Sequence, residues 1–199
     1  PAGSPDFRIL HISDMHMIPG QQKKIDFMHS LATLEPDLVM NTGDNLSHVD
    51  GMGPLLEALD PLMDFPGVFV PGSNCYFAPV FKNPARYLWQ PRTPQMIEEG
   101  SRVTLPIERM HDAFESRGWT DLINRYDTLN LKGLRLEFSG VDDPHLRYDE
   151  HPGFAPGAFD EGEEPSVRIG VAHAPYMRTL HRFVQDGAQA IFAGHTHGG

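Results

Sequence analysis

Cysteine is almost missing from this chain. Cys75 is the only one in 199 residues, so no disulfide can form within the chain and the redox compartment stays open. Long apolar runs are also missing: no 18 consecutive apolar residues occur, so the sequence holds no membrane-spanning helix. Cations are scarce. Sixteen Lys and Arg stand against 27 Asp and Glu, a formal net charge of −11, which excludes the cationic footprint of a sequence-independent nucleic-acid binder. Such a charge also repels anionic substrates unless bound cations reverse the local field. No repeat or low-complexity segment is present. What remains, 40% hydrophobic and 22% charged, is the composition of an ordinary globular domain, and residues 1–199 show no internal boundary.

Five short stretches stand out. Each leaves a metal-type ligand at the end of a strand-like run: Ser13-Asp14-Met15-His16, Thr42-Gly43-Asp44-Asn45, Gly72-Ser73-Asn74-Cys75, Val171-Ala172-His173 and Gly194-His195-Thr196-His197. A His-x-His pair alone is a weak signal. Five such stretches in one chain point to a shared site.

Taken in order, Phe7–Ile12 reads as a buried strand. Ile25, Met28, Leu31 and Ala32 recur at helical spacing over about 21–34, and Pro36 ends that helix. Asp37–Asn41 is a second strand. Leu55, Leu59 and Met63 mark a second helix limited by Pro61, and Val68–Val70 is a third strand. This alternation implies a largely parallel sheet with right-handed crossovers, whose ligands gather at the carboxyl ends of the strands. Residues 76–104, rich in proline and aromatics, break the rhythm. They are either a substrate lid or a small core over a sheet edge. There, Lys82, Arg86 and Arg92 either bind substrate phosphate or serve solubility. Ile107, Met110 and Phe114 outline a helix ending near Gly118. Tyr126–Leu131 and Leu134–Val141 read as a hairpin turning at Lys132-Gly133. Tyr148–Pro165 reads as a mobile acidic loop, and Val167–Val171 as a strand. Met177, Leu180 and Val184 mark a last helix capped by Gly187, before the strand that leads to His195 and His197.

Asp14, His16, Asp44, Asn74, His173, His195 and His197 form a mixed nitrogen and oxygen donor set that suits Mn, Fe or Zn better than Ca or Mg. Seven ligands are too many for one ion with an open position. They suit two ions sharing one carboxylate, an arrangement that can clamp both sides of an in-line phosphoryl displacement.

The order Asp-x-His, Gly-Asp, Gly-x-Asn, a lone His and Gly-His-x-His resembles the calcineurin-like metallophosphoesterases, over nearly the whole chain from Arg8. The resemblance implies an α/β fold, a two-sheet sandwich flanked by helices. It implies that Asp14, His16 and His197 hold one metal, that Asp44 bridges, and that Asn74, His173 and His195 hold the other. A hydroxide bridging the metals would then attack a phosphate ester, the expected substrate. Ser-Asp-x-His, Gly-Val-Asp-Asp-Pro and Gly-His-Thr-His-Gly-Gly look most like the bacterial branch that acts on phosphodiesters or lipid-linked phosphates. Members of that branch carry N-terminal membrane or export segments and continue past the last His motif. Membrane association through a segment before Pro1, and a C-terminal continuation after Gly199, are therefore expectations of the resemblance. The cellular location stays open between cytoplasm and membrane.

One departure matters. The family reads Gly-Asn-His-Asp at the third motif, and that His helps protonate the leaving group. Aligned without a gap, Ser73 takes the ligand position here and Asn74 that of the His. Asn74 is the preferred ligand, since an amide oxygen is the better donor to a cation. Leaving-group protonation then falls to water, His145 or His48. His11, His29, His111 and His181 read as structural or surface residues. Asp142 and Asp143 either shape a turn or serve the site, and Asn41 and Asn45 either orient Asp44 or stabilise its turn. Cys75 reads as a partly exposed bystander. Two functions stay in play: a dinuclear phosphoesterase and a metal-binding scaffold without turnover. A metal-dependent amide hydrolase is disfavoured by the motif order.

Overall fold

The computed structural model describes residues 6–78, 103–156 and 166–197. The flap expected over 76–104 lies outside these residues apart from its two ends, as does the stretch 157–165 of the acidic loop.

Eight strands form two four-stranded sheets. In the first, β1 (Ile9–Ile12), β2 (Leu38–Asn41), β3 (Gly67–Phe69) and β4 (Thr120–Asp121) lie side by side in chain order, all parallel. The second orders β5 (Arg125–Leu131), β6 (Leu134–Gly140), β7 (Ser166–Ala172) and β8 (Ala190–Ala193). Only its β5–β6 hairpin is antiparallel. Lys132 (φ 50°) and Gly133 (φ 74°) make its two-residue turn, both left-handed as a twist-matched hairpin requires.

Helices cover both outer faces. α1 (Gln22–Leu31), α2 (Met52–Leu59) and α4 (Ile107–Ser116) flank the first sheet, and α5 (Met177–Gln185) the second. One four-residue turn, α3 (Ser73–Tyr76), follows β3. Strand alternation explains the layers. Val39 and Phe69 face the helices, with Ile12, Leu55 and Phe114. Leu38, Met40, Val68 and Val70 face the other sheet and meet Leu136, Phe138, Ile169 and Val171. β2 is buried at all four positions, as a central parallel strand with both faces covered must be. The expected αββα sandwich is the fold observed.

Two local expectations change. α5 does not bury Met177 and Val184, which are exposed; Thr179 and Phe183 face inward. The helix is turned by Gly170, where any Cβ would strike the Phe183 ring, and by Asp149, which accepts from Thr179 Oγ1 at 3.1 Å. The first half of the presumed mobile loop is also tied down. Asp149 pairs with Arg178 at 2.6 Å and His151 Nε2 lies 2.8 Å from Asp186.

Candidate metal centre

Every parallel strand runs its carboxyl end to one edge of the sandwich, and the candidate ligands sit in the turns just beyond. Asp14 and His16 follow β1, Asp44 follows β2, Asn74 lies in α3 after β3, His173 follows β7, and His195 and His197 follow β8. The turns after β1 and β2 keep pairing past the strands: His16 N–H donates to the Asp44 carbonyl at 2.9 Å, and Asp14 N–H to that of Gly43 at 2.9 Å. Gly194 N–H donates to the His173 carbonyl at 2.8 Å, which locks the last motif to β7.

Two groups of three donors result, Asp14 with His16 and His197, and Asp44 with His173 and His195. Within each group the donor atoms lie within 4.8 Å of one another. Asp14 Oδ1 stands 3.9 Å from His16 Nε2, 3.4 Å from His197 Nε2 and 3.9 Å from His173 Nε2. Asp44 Oδ2 stands 3.8 Å from His16 Nε2 and 3.3 Å from His173 Nε2. Asp44 thus touches both groups. These gaps are long for hydrogen bonds but match ligand atoms sharing an ion, since metal bonds of about 2.0–2.2 Å place neighbouring donors about 3–4 Å apart.

The backbone is bent to achieve this. Asp14, His16, Asp44, His195 and His197 all have φ between 45° and 71°, a region non-glycine residues seldom occupy. Strain concentrated on candidate ligands is the pattern of a functional site. Small residues make room: a Cβ on Gly72 would strike Asp44 Oδ1 and stand 2.6 Å from the His173 ring, and one on Gly194 would strike Ser13 Oγ and stand 2.7 Å from Asp14 Oδ2.

Outer partners fix which atoms face inward. Ser13 Oγ donates to Asp14 Oδ2 at 2.6 Å, as does His195 N–H at 2.9 Å, which leaves Oδ1 for the site. His173 Nδ1–H donates to the Thr42 carbonyl at 2.7 Å, so Nε2 is the ring atom turned inward, and its lone pair faces the site when the ring is neutral, as a metal ligand must be. His16 Nδ1 engages Ser47 Oγ at 2.9 Å and frees Nε2 in the same way. Asp14 Oδ1 and His173 Nε2 are buried without a hydrogen-bond partner. Burial would raise the Asp44 carboxyl, but in the metal-free site the charge of a protonated His173 ring 3.3 Å away and hydrogen bonds from Asn74 hold it down at about 2. Burial is the largest influence on His16 and His195 and lowers both, which keeps their lone pairs free. The donor set, its orphaned atoms and its tautomers fit metal ions.

Of the two candidates in the third motif, Asn74 is the one placed against Asp44. Its N–H and side-chain Nδ2 donate to the two carboxylate oxygens at 2.8 and 2.6 Å. Cys75 is fully buried rather than partly exposed, and burial, the largest of its influences, pushes its thiol up to about 12. His145 sits beside the site, its ring 5.4 Å from that of His195 and its Nδ1 3.0 Å from Tyr176 Oη. His48 instead caps a helical turn, its Nδ1 accepting from Asp50 N–H. Asn41 accepts from Gly43 N–H and so holds the turn, while Asn45 points at the sulfurs of Cys75 and Met110. Asp142 and Asp143 shape their turn: Asp142 accepts from Asp143 N–H and Tyr76 Oη, and Asp143 from the N–H groups of His145 and Leu146. Ser47, Thr42 and Tyr176 make their contacts to His16, His173 and His145 without a signal in the sequence. Ser47 lies three residues after Asp44 with no spacing signal, and Thr42 acts through its main chain.

The family model described as calcineurin-like phosphoesterase matches residues 7–199. The uncharacterized protein YpbG of Bacillus subtilis (strain 168) is 26% identical over 201 residues, covering 99% of this chain and 63% of that relative. The chain therefore spans a little under two thirds of that relative's length. Among solved structures, the phosphopantetheinyl hydrolase from Mycobacterium tuberculosis superposes with a TM-score of 0.51 at 13% identity, covering 96% of this chain and 83% of that one. That likeness is one of fold.

Proposed function

The chain belongs to the calcineurin-like phosphoesterase family, and from that premise we propose that it is a metal-dependent phosphoesterase with two ions and a preference for phosphodiesters. The observation that carries this reading is the pair of donor groups joined through Asp44. Asp14, His16 and His197 would hold one ion, Asn74, His173 and His195 the other, and Asp44 both. Manganese, iron or zinc suits the mixed donors. Bound there, the ions would supply acidity for the attacking water and charge to offset that of the phosphoryl oxygens.

The protein's own part is placement. Ser13, Ser47, the Thr42 carbonyl and the His195 N–H aim the ligands. Asn74 now presents its amide nitrogen to Asp44, and half a turn of that amide brings its oxygen to the same place for a ligand role. His145, oriented by Tyr176 at the edge of the site, is the group available to hold a proton for the leaving oxygen. Cys75 cannot serve there, buried as it is. A site without the family's His favours esters with good leaving groups.

The test is hydrolysis of bis(p-nitrophenyl) phosphate beside p-nitrophenyl phosphate, with manganese and then with EDTA. Turnover of the diester that appears with metal and vanishes with chelator is the expected result. A second reading, a metal-binding scaffold with little turnover, draws on the buried thiol beside Asn74. It is favoured if the protein holds two ions and cleaves neither ester. Failure to bind any transition metal removes both readings.

A further inference from the structure

Beyond the metal centre, a cleft of about 350 Å³ is lined by Arg147, Asp149, Arg178 and Arg182. Three guanidinium groups around one carboxylate are unexpected on a chain with net charge −11. An acidic protein gains no solubility from gathering cations, and like charges held together repel unless an anion lies among them.

The cations divide by role. Arg178 is engaged: it donates to Asp149 at 2.6 Å and to the Pro144 carbonyl at 2.8 Å, and its guanidinium lies 5.2 Å from the centre of the Tyr176 ring. It is a wall of the cleft and binds the turn at 144–149 to α5. Asp149 is spent on Arg178 and Thr179. Arg147 and Arg182, both exposed, have no carboxylate partner among the described residues. The cleft therefore keeps two uncommitted guanidinium groups on a pinned frame, and such groups are matched to phosphate oxygens.

The cleft also connects to the metal centre through contacts already described. Arg178 lies against Tyr176, Tyr176 Oη meets His145 Nδ1 at 3.0 Å, and the His145 ring neighbours that of His195. We propose that this cleft is a subsite for a second phosphoryl group, so that the substrate carries one phosphate at the metals and another, not hydrolysed, between Arg147 and Arg182. The proposal rests on the phosphoesterase reading for its first phosphate and on the cleft alone for its second.

The test uses a matched pair of esters with one leaving group: thymidine 5′-(p-nitrophenyl phosphate) and its 3′-phosphorylated form. The metal-loaded wild type should prefer the 3′-phosphorylated ester. In the Arg147→Gln, Arg182→Gln double variant the ratio of the two kcat/KM values should fall about tenfold or more, chiefly through KM. A ratio unchanged by the double variant overturns the subsite. If the wild type cleaves neither ester, the phosphoesterase reading fails, and the cleft is then judged by calorimetry with thymidine 3′,5′-bisphosphate. Tighter binding than thymidine 5′-phosphate, lost in the double variant, keeps the subsite; equal Kd values for wild type and variant remove it.

Discussion

Asp14 Oδ1 and His173 Nε2 face each other across 3.9 Å, both buried and neither hydrogen bonded. Each unsatisfied group costs about 1–3 kcal/mol without a partner. They belong to different donor groups, and each group draws on both sheets: Asp14 and His16 meet His197, and Asp44 meets His173 and His195, so either ion joins the two halves of the sandwich. Metal should therefore stabilise the fold. An ion at a hundredfold excess over its Kd adds about 2.7 kcal/mol, and a chain of this size gains about 2–4 °C per kcal/mol. Saturating manganese should raise Tm by roughly 5–10 °C per ion, and EDTA should reverse it. A melting curve indifferent to both would mean that neither donor group holds an ion.

Ser47 offers a test that spares every ligand. Its hydroxyl engages His16 Nδ1 at 2.9 Å and so orients Nε2. Loss of such an outer partner lowers metal affinity or activity by about 10–100-fold. Ser47→Ala should show this weakening for one ion in a competition titration with a chelating dye, while the ion held by His173 and His195 keeps its affinity. Equal weakening of both sites, or of neither, would contradict the assignment of His16 to a single group.

Much of this was legible in the sequence because strands and ligands share a signal. The apolar runs ending at Ile12, Asn41 and Val70 each stop at a polar motif, and each holds a strand, the third observed at Gly67–Phe69. β4 was not legible: two residues, Thr120 and Asp121, carry no periodicity, and only the edge of β3 recruits them. The helical spacing of Met177, Leu180 and Val184 located α5 but not its inward face, which Gly170 and Asp149, distant in sequence, decide. The ligands were readable as residue types. Their orientation was not, since Ser47, the Thr42 carbonyl and the Tyr176 hydroxyl act through tertiary contacts alone.

Asp44 gives the metal-free protein a pH signature. Its carboxyl ionises at about 2 in the folded chain, against about 3.9 in an unfolded one. Between these values the folded state binds fewer protons than the unfolded, so stability falls as pH falls. The contribution, about 2 kcal/mol, is complete above about pH 4 and lost on passing through 2. Asp44→Asn removes it. In urea titrations with EDTA present, the wild type's advantage over Asp44→Asn should narrow by about that amount between pH 5 and pH 2. A gap constant over this range would show that Asp44 is not held ionised by His173 and Asn74.

Gly72 permits the sharpest separation of site from fold. Its backbone is extended, φ −122° and ψ 176°, so alanine introduces no backbone strain there. What it introduces is a methyl group against Asp44 Oδ1 and the His173 ring, two candidate ligands whose positions the site requires. Overpacking of this kind costs about 1–3 kcal/mol, which a chain of this size can tolerate. Gly72→Ala should therefore fold, with unchanged far-ultraviolet circular dichroism, yet lose metal affinity by more than the roughly 100-fold upper range for an outer partner. Gly53→Ala is the matched control. Gly53 lies in α2, where a Cβ meets nothing within 4 Å, and alanine there should add up to about 1 kcal/mol of stability and leave metal binding alone. Wild-type metal affinity in Gly72→Ala would mean that Asp44 and His173 can move aside without cost, and the geometry that joins the two donor groups would no longer explain the site.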